Sequence, residues 1–198
     1  MEKRVYEARQ GTRTALTNLG FGFTINDATH PAIDIVKGER VMNTEPQSKA
    51  GKRVYFACPM FSAMEKEYAL KLTSILERHG YMVFVPFRDG YEAAQLEGKS
   101  EQELVQMIFD KDVKEVAKAD ILFFLLDGRA PDEGACVELG IAYAYQKRCY
   151  GFKTDTRTVE MNLNLNPMIT GCLIKLFENF DGDLAIAELE EYLSNHDL

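Results

Sequence analysis

Apolar and polar residues form a regular pattern along the chain from Lys52 to the C-terminus. Short apolar runs, typical of buried strands, alternate with longer segments in which apolar residues recur at helical spacing. The run from Ile121 to Leu126 is unbroken and predicts a strand buried on both faces of a sheet. The pattern predicts strands at 53–58, 81–87, 120–126 and 148–153, a possible fifth strand at 172–177, and helices at 62–78, 100–117, 133–146 and 183–194.

The order of these segments predicts the fold class. Strands and helices alternate strictly, which requires right-handed crossovers and favours an α/β fold with a doubly wound parallel sheet of about five strands and helices on both faces. The segment 88–99 is predicted to be an irregular loop, because its composition is polar and lacks either period.

Residues 1–51 do not follow this pattern. Glycine and proline interrupt the segment repeatedly, and only the stretch 19–25 could form a short strand. We interpret residues 1–51 as an N-terminal arm that packs on the domain or on a neighbouring subunit, and residues 52–198 as the functional domain.

Composition narrows the expected partners and location. The net charge of −8 disfavours non-specific binding to nucleic acid or to an anionic membrane, so small molecules and protein partners are expected. The sequence contains no apolar stretch long enough to span a bilayer and no recognisable leader, so a cytoplasmic location is expected. The four cysteines are scattered without a C-x-x-C pair, which indicates reduced core residues and no metal site.

Candidate chemistry lies where the predicted strands end. The carboxyl ends of parallel strands share one edge, which brings together the segments 58–61, 86–90 and 127–134. These segments contain no G-x-G-x-x-G or G-x-x-x-x-G-K-[ST] phosphate loop and no G-x-S-x-G nucleophile, and the three histidines lie elsewhere. Acid–base chemistry would therefore fall to carboxylates.

Two of these carboxylates belong to the helix that follows the central strand. Glu138, in its first turns, is expected to be partly desolvated yet favoured as an anion by the helix amino end, which suits attack on an electrophilic sugar carbon. A solvated glutamate on the helix face is the ordinary alternative. Asp132 could bind a ligand at the same place, but an aspartate before Glu-Gly-Ala is also a good N-cap.

Two further candidates lie on other predicted elements. Asp112 in the helix 100–117 is either an exposed charge that pairs with lysines or, if it lies over the strand ends, an acid. Tyr55, midway along the first strand, is either a core tyrosine or a hydrogen-bond donor that orients an inward carboxylate.

Four motifs together resemble the nucleoside 2-deoxyribosyltransferases. They are the strand and turn 54–61, Asp112 eight residues before Asp120, the segment Pro-Asp-Glu-Gly-Ala-Cys-Val-Glu-Leu-Gly at 131–140, and Asn-Pro-Met at 166–168. The resemblance extends from about Lys52 to the C-terminus and leaves the first 50 residues unexplained.

The resemblance implies a flavodoxin-like homo-oligomer that moves 2-deoxyribose between nucleobases through a covalent sugar–enzyme intermediate. It implies that Glu138 is the nucleophile, that Asp112 protonates the departing base, that Tyr55 positions Glu138, and that Asp132 binds the sugar hydroxyls. Such chemistry needs an ionised nucleophile beside a protonated acid, so their environments should push the two pKa values apart.

The remaining substrate-binding positions follow from the same resemblance. Asn166, with Met168 beside it, would reach the sugar of a neighbouring subunit's site, while Gly134, Phe61 and Asp89 would line the substrate pocket. Deoxynucleosides and free nucleobases are the expected partners, and no metal or cofactor is needed.

The sequence also departs from the family pattern. Cys58 stands where relatives often have glycine. The first turn supplies only Ser62 to bind a phosphate, and this second departure favours nucleoside over nucleotide substrates. Two alternatives remain: a nucleoside or nucleotide N-glycosidase of the same fold, and a non-catalytic nucleotide-binding module.

Overall fold

The computed structural model describes residues 51–158 and 163–198, which lie within one compact unit, Arg40–Leu198. The predicted N-terminal arm, residues 1–51, lies outside the described residues except for Gly51, so its role stays a prediction.

Five strands and seven helices make up the described part of the chain. In chain order they are β1 (Arg53–Ala57), α1 (Ala63–Arg78), β2 (Met82–Phe84), α2 (Pro86–Asp89), α3 (Ala93–Leu96), α4 (Glu101–Lys118), β3 (Ile121–Leu125), α5 (Glu133–Ala144), β4 (Arg148–Lys153), α6 (Pro167–Thr170), β5 (Lys175–Glu178) and α7 (Gly182–Asn195).

The strands form one parallel sheet in the order β2-β1-β3-β4-β5, which confirms the predicted flavodoxin-like α/β fold. Tyr55 of β1 lies between Phe84 of β2 and Leu122 of β3. The strand order reverses direction at β1 and β3, and ligands of such sheets bind outside the carboxyl ends of these two strands.

Successive residues of the central strands enter two different cores, because side chains of a strand point alternately to opposite faces. The core on the α1 and α7 face includes Val54, Phe56, Ile121, Phe123 and Phe152. The core on the α4 and α5 face includes Tyr55, Ala57, Leu122, Phe124 and Leu126. Tyr55 therefore points towards the helices that carry Asp112 and Glu138.

The helix starts follow the sequence signals closely. Ser62 and Ser100 each form a capping box with the glutamate three residues later, at the starts of α1 and α4. No described helix combines the length and the apolar character that crossing a membrane requires.

Three predictions of element boundaries were wrong, at a proline, in a predicted loop and at the fifth strand. β2 ends at Phe84 instead of Phe87, because Pro86 starts the short helix α2, where its missing N–H is not needed. The predicted loop 88–99 contains α3, and the fifth strand is Lys175–Glu178, shifted from the predicted 172–177.

Candidate active site

A tyrosine and a glutamate from distant parts of the chain meet on the α4 and α5 face of the sheet. The hydroxyl of Tyr55 donates a hydrogen bond to Oε1 of Glu138 at 2.6 Å, across 83 residues of sequence. Tyr55 is fully buried, and its ring stacks on Phe84 of β2 at 5.6 Å between ring centroids. Packing thus fixes the donor, and the donor holds one carboxylate oxygen of a half-buried glutamate.

The position of Glu138 follows from how α5 begins. Asp132 caps this helix through a 2.8 Å hydrogen bond from the Ala135 N–H to its Oδ1, which confirms the N-cap expected from sequence. Ala135, Leu139 and Ala142 bury one face of α5 against the sheet, and Glu138 lies beside that face. The carboxylate is consequently directed at the sheet and is only half exposed.

Burial dominates the charge state of Glu138. Desolvation raises its pKa from the usual 4.5 to about 7, although the Tyr55 hydrogen bond opposes this effect and the charges of Asp112 and Asp132 add to it. The sequence predicted partial desolvation together with stabilisation of the anion at the helix amino end, and desolvation is the larger of the effects on this pKa. Tyr55 remains protonated, since burial and then the Glu138 charge raise its pKa above the ordinary value.

Asp112 is the second carboxyl of this group. It is half-buried on α4, and burial raises its pKa to about 6, with Lys111 lowering the pKa and Glu115 raising it. The negative charge of Asp112 raises the pKa values of both Glu138 and Tyr55. Burial therefore raises the pKa values of both carboxyls towards neutrality, and the free protein does not push them apart as the two roles were expected to require.

Two small residues shape the space around these acids. A Cβ atom on Gly134 would lie 3.2 Å from Oδ1 of Asp132, so glycine leaves room for the capping carboxylate. Cys58 is buried at the end of β1, and burial followed by the charges of Glu138 and Asp132 raises the pKa of its thiol to about 12. Cys58 is consequently a neutral thiol next to the carboxylates.

The other predicted substrate residues have no hydrogen bond or ion pair to Glu138, Asp112 or Tyr55 within the described residues. Phe61 and Met168 are each 79% exposed. Asn166 is exposed, and its side chain caps α6 by accepting the Met168 N–H at 2.9 Å. Asp89 accepts the Val85 N–H at 2.8 Å and pairs with Arg88, so its carboxylate is occupied within α2.

Sequence reasoning missed an aspartate that fixes the edge of the sheet. Asp127, directly after β3, accepts hydrogen bonds from the backbone N–H groups of Thr154 and Asp155 and from the Thr154 hydroxyl, at 2.5 to 2.9 Å. It joins the ends of β3 and β4 and supports the edge. The position of Asp127 directly after a buried strand indicated a residue at the sheet edge, but the sequence did not predict its hydrogen bonds to Thr154 and Asp155.

A cleft of about 720 Å³ lies on the opposite, α1 and α7, face of the sheet. Tyr68, Lys71, Leu125 and Gly182 are among the residues that line it, whereas Glu138, Asp112 and Tyr55 are not. Because the perturbed carboxyls lie elsewhere, we place the candidate site at the Tyr55 and Glu138 pair.

The described residues contain no group of three or more histidine, cysteine or acidic side chains arranged to hold a metal ion. All four cysteines are free thiols. The chemistry available at this site is proton transfer and nucleophilic attack by two carboxyl groups, with one tyrosine as a hydrogen-bond donor.

Comparison with known protein families gives one match, which covers most of the chain. The family model described as nucleoside 2-deoxyribosyltransferase matches residues 54–182, a range that includes Tyr55, Asp112, Asp132, Glu138 and Asn166. No curated protein matches the chain in a separate search.

Solved structures share the fold. A 2-deoxyribosyltransferase from the psychrotolerant bacterium Bacillus psychrosaccharolyticus is 25% identical, with a TM-score of 0.58 over 74% of this chain and 93% of that chain. A conserved protein from Enterococcus faecalis V583 is 21% identical, with a TM-score of 0.59 over 73% of this chain and 98% of that one. A CMP N-glycosidase from Clostridium botulinum is 17% identical, with a TM-score of 0.49 over 71% and 100%.

Proposed function

The chain belongs to the nucleoside 2-deoxyribosyltransferase family, and we propose that it moves 2-deoxyribose from one nucleobase to another through a covalent bond between the sugar and Glu138. The observation that carries the proposal is the 2.6 Å hydrogen bond from Tyr55, in the middle of β1, to Glu138, together with a second, half-buried carboxyl whose charge reaches both groups.

The proposed reaction has two displacements. In the first, one oxygen of the Glu138 carboxylate attacks C1′ of the nucleoside, the bond from C1′ to the base breaks, and Asp112 gives its proton to the departing base. In the second, an acceptor base attacks C1′, Glu138 leaves as a carboxylate, and Asp112 takes the proton from the acceptor. Two inversions give net retention at C1′.

Tyr55 has a distinct part in this scheme. Its O–H holds Oε1 of Glu138, which leaves Oε2 for the attack and keeps the carboxylate in one orientation. The same hydrogen bond opposes the effect of burial on the Glu138 pKa and so favours the ionised nucleophile. A tyrosine whose own pKa is raised keeps this proton throughout.

Exchange is expected to be fastest between about pH 6 and pH 7, where the Asp112 and Glu138 pair holds one proton. Below this range both carboxyls are protonated and Glu138 cannot attack, and above it both are ionised and Asp112 has no proton to give. Within the range the single proton lies on either carboxyl, and the form with the proton on Asp112 is the reactive one. The dependence of kcat/KM on pH, which reports the free enzyme, should therefore be bell-shaped. A rate that stays constant up to pH 9 would contradict the acid role.

We propose a nucleoside rather than a nucleotide as the substrate. Both N–H groups that the turn before α1 could offer to a phosphate, those of Phe61 and Ser62, donate to the Glu65 carboxylate at 2.8 and 2.7 Å. The Ser62 hydroxyl accepts the Glu65 N–H. A phosphate at this turn would meet the Glu65 carboxylate, which already accepts the N–H groups of Phe61 and Ser62.

A second copy of the chain is proposed to complete the site. Asn166 and Met168 are exposed and make no hydrogen bond or ion pair to the described carboxylate group of their own chain, which suits a role in a neighbouring subunit. We propose that Asp132, Gly134 and Phe61 face the substrate from this chain. Asp89 is proposed to shape α2, because its carboxylate is already occupied.

Incubating a deoxynucleoside with and without a different free base tests the proposed transfer. We expect a new nucleoside only when the acceptor is present, because the base rather than water takes the sugar from Glu138. Release of free sugar at the same rate with or without an acceptor would identify an N-glycosidase instead, and binding without any turnover would identify a non-catalytic module.

A further inference from the structure

Lys111, the residue before Asp112, connects α4 to the segment that follows α2. Its Nζ donates a 2.7 Å hydrogen bond to the backbone carbonyl of Gly90. The same ammonium lies 4.7 Å from the ring centroid of Tyr91 and 5.9 Å from that of Phe84. One carbonyl and two aromatic faces thus hold the charged end of a half-buried lysine.

These contacts continue to the proposed nucleophile. Phe84 stacks on Tyr55 with an angle of 26° between the rings, and the Tyr55 hydroxyl donates a hydrogen bond to Glu138. Lys111 therefore lies at one end of a continuous series of packed and hydrogen-bonded groups, and Glu138 lies at the other. Lys111 also connects this series to the Gly90 carbonyl and the Tyr91 ring.

Lys111 and Asp112 do different things although they are adjacent. Neighbouring residues of a helix point about 100° apart, so their side chains do not face each other. The ammonium donates to the Gly90 carbonyl, and it acts on Asp112 only through its charge, which lowers the pKa of that carboxyl. The other ionisable groups that act on Asp112 or feel its charge are Glu115 on α4, Glu138 on α5 and Tyr55 on β1.

We propose that Lys111 is a positioning residue for the transfer reaction: it ties the Gly90 and Tyr91 segment to α4, the helix that carries Asp112, and to Phe84, on which Tyr55 stacks. This inference rests on the proposed function, and it adds a role for a residue outside the carboxylate group. Loss of this tie would loosen the helix that presents Asp112 and the ring that supports Tyr55, and a small misplacement of either group slows the transfer.

The test compares three variants. Lys111→Met removes the ammonium and keeps the apolar stem, Lys111→Arg keeps the charge and a donor for the Gly90 carbonyl, and Lys114→Met removes a charge from an exposed position of the same helix. We expect Lys111→Met to lower kcat about tenfold or more, Lys111→Arg to recover most of that loss, and Lys114→Met to behave as wild type.

The pH profile separates positioning from simple charge effects. Without the Lys111 charge the pKa of Asp112 rises, so the proton that the pair shares lies on Asp112 more often and the profile should move to higher pH. This effect alone would enlarge the reactive form, in which Asp112 is protonated and Glu138 is ionised. A fall in kcat together with an alkaline shift therefore indicates lost positioning. A Lys111→Met enzyme with unchanged or increased kcat would overturn the proposal.

A measurement without substrate keeps this inference separate from the proposed function. NMR of the free protein should show the Asp112 carboxyl titrating at higher pH in Lys111→Met, with changed amide signals at Gly90 and Tyr91, and neither change in Lys114→Met. If the wild-type protein exchanges no bases, the proposed function fails. If the amide and carboxyl signals of Lys111→Met are unchanged in the NMR spectra, the role of Lys111 fails.

Discussion

Replacing Glu138 with glutamine is expected to lower base exchange by at least about 1000-fold. Glutamine has nearly the same shape and can still accept the Tyr55 hydrogen bond, but an amide oxygen does not form the covalent bond to C1′. The matched control is Glu133→Gln, which removes an exposed carboxylate from the first turn of the same helix and should leave kcat unchanged. A Glu138→Gln rate within about tenfold of wild type would remove Glu138 from the mechanism.

The stability of Glu138→Gln tells whether its loss of activity comes from the missing carboxylate or from misfolding. Because burial raises the pKa of Glu138 from 4.5 in the unfolded chain to about 7 in the folded protein, this group lowers the stability progressively as the pH rises from about 4.5 to about 7, and the loss is complete above pH 7. Glu138→Gln should therefore be more stable than wild type at pH 8, by about 1–3 kcal/mol after allowing for its partial exposure, and the gain should vanish below pH 4. Denaturant titration at the two pH values measures it.

A trapped intermediate identifies the attacking atom directly. A 2-fluorinated deoxynucleoside should leave its sugar on the wild-type protein, on the peptide that contains Glu138, because fluorine slows the second displacement. Mass spectrometry should find no adduct on Glu138→Gln. An adduct on another residue would assign the nucleophile elsewhere.

The fold could be predicted from the sequence because each local signal agrees with the next. The apolar run that became β3 has no polar residue to expose, and the serine and glutamate pairs before α1 and α4 satisfy the free N–H groups of those helices. The wrong predictions of secondary structure occurred where a local helix-start signal conflicted with the hydrophobic pattern of the surrounding segment. Pro86 starts α2 within what reads as a strand, and the polar segment before α4 hides the α3 capping box of Glu92 and Gln95.

The site was predictable only one element at a time. Asp132, Glu138 and the strand position of Tyr55 follow from spacing, but the contact between Tyr55 and Glu138 spans 83 residues and depends on how α5 packs on β1. The pKa values depend on desolvation, which the sequence does not give, and the sequence therefore did not predict that burial raises the pKa values of both Asp112 and Glu138. Lys111 was interpreted only as a charge near Asp112, because nothing local links it to Gly90.

Replacing Asp112 with asparagine is expected to slow transfer from a natural nucleoside by about 100-fold or more, and from a donor with an electron-poor, readily departing base by about tenfold or less. A poor leaving base needs the proton that Asp112 supplies, whereas a good one departs without it. KM for the donor should change little, since the lost proton acts in the transition state. The comparison requires kcat for both donors at saturating acceptor.

Two further results decide between an acid and a structural role for Asp112. Asp110→Asn removes a carboxylate from the exposed face of the same helix, where it accepts a hydrogen bond from Gln106, and should leave both rates unchanged. Asp112→Asn should also lose the alkaline limb of the pH profile, because no acid remains to lose its proton. Its rate should then follow the ionisation of Glu138 alone, whose pKa falls once the Asp112 charge no longer raises it. Equal losses for good and poor leaving bases, with the alkaline limb intact, would show that Asp112 acts on the shape of the site and does not protonate the base.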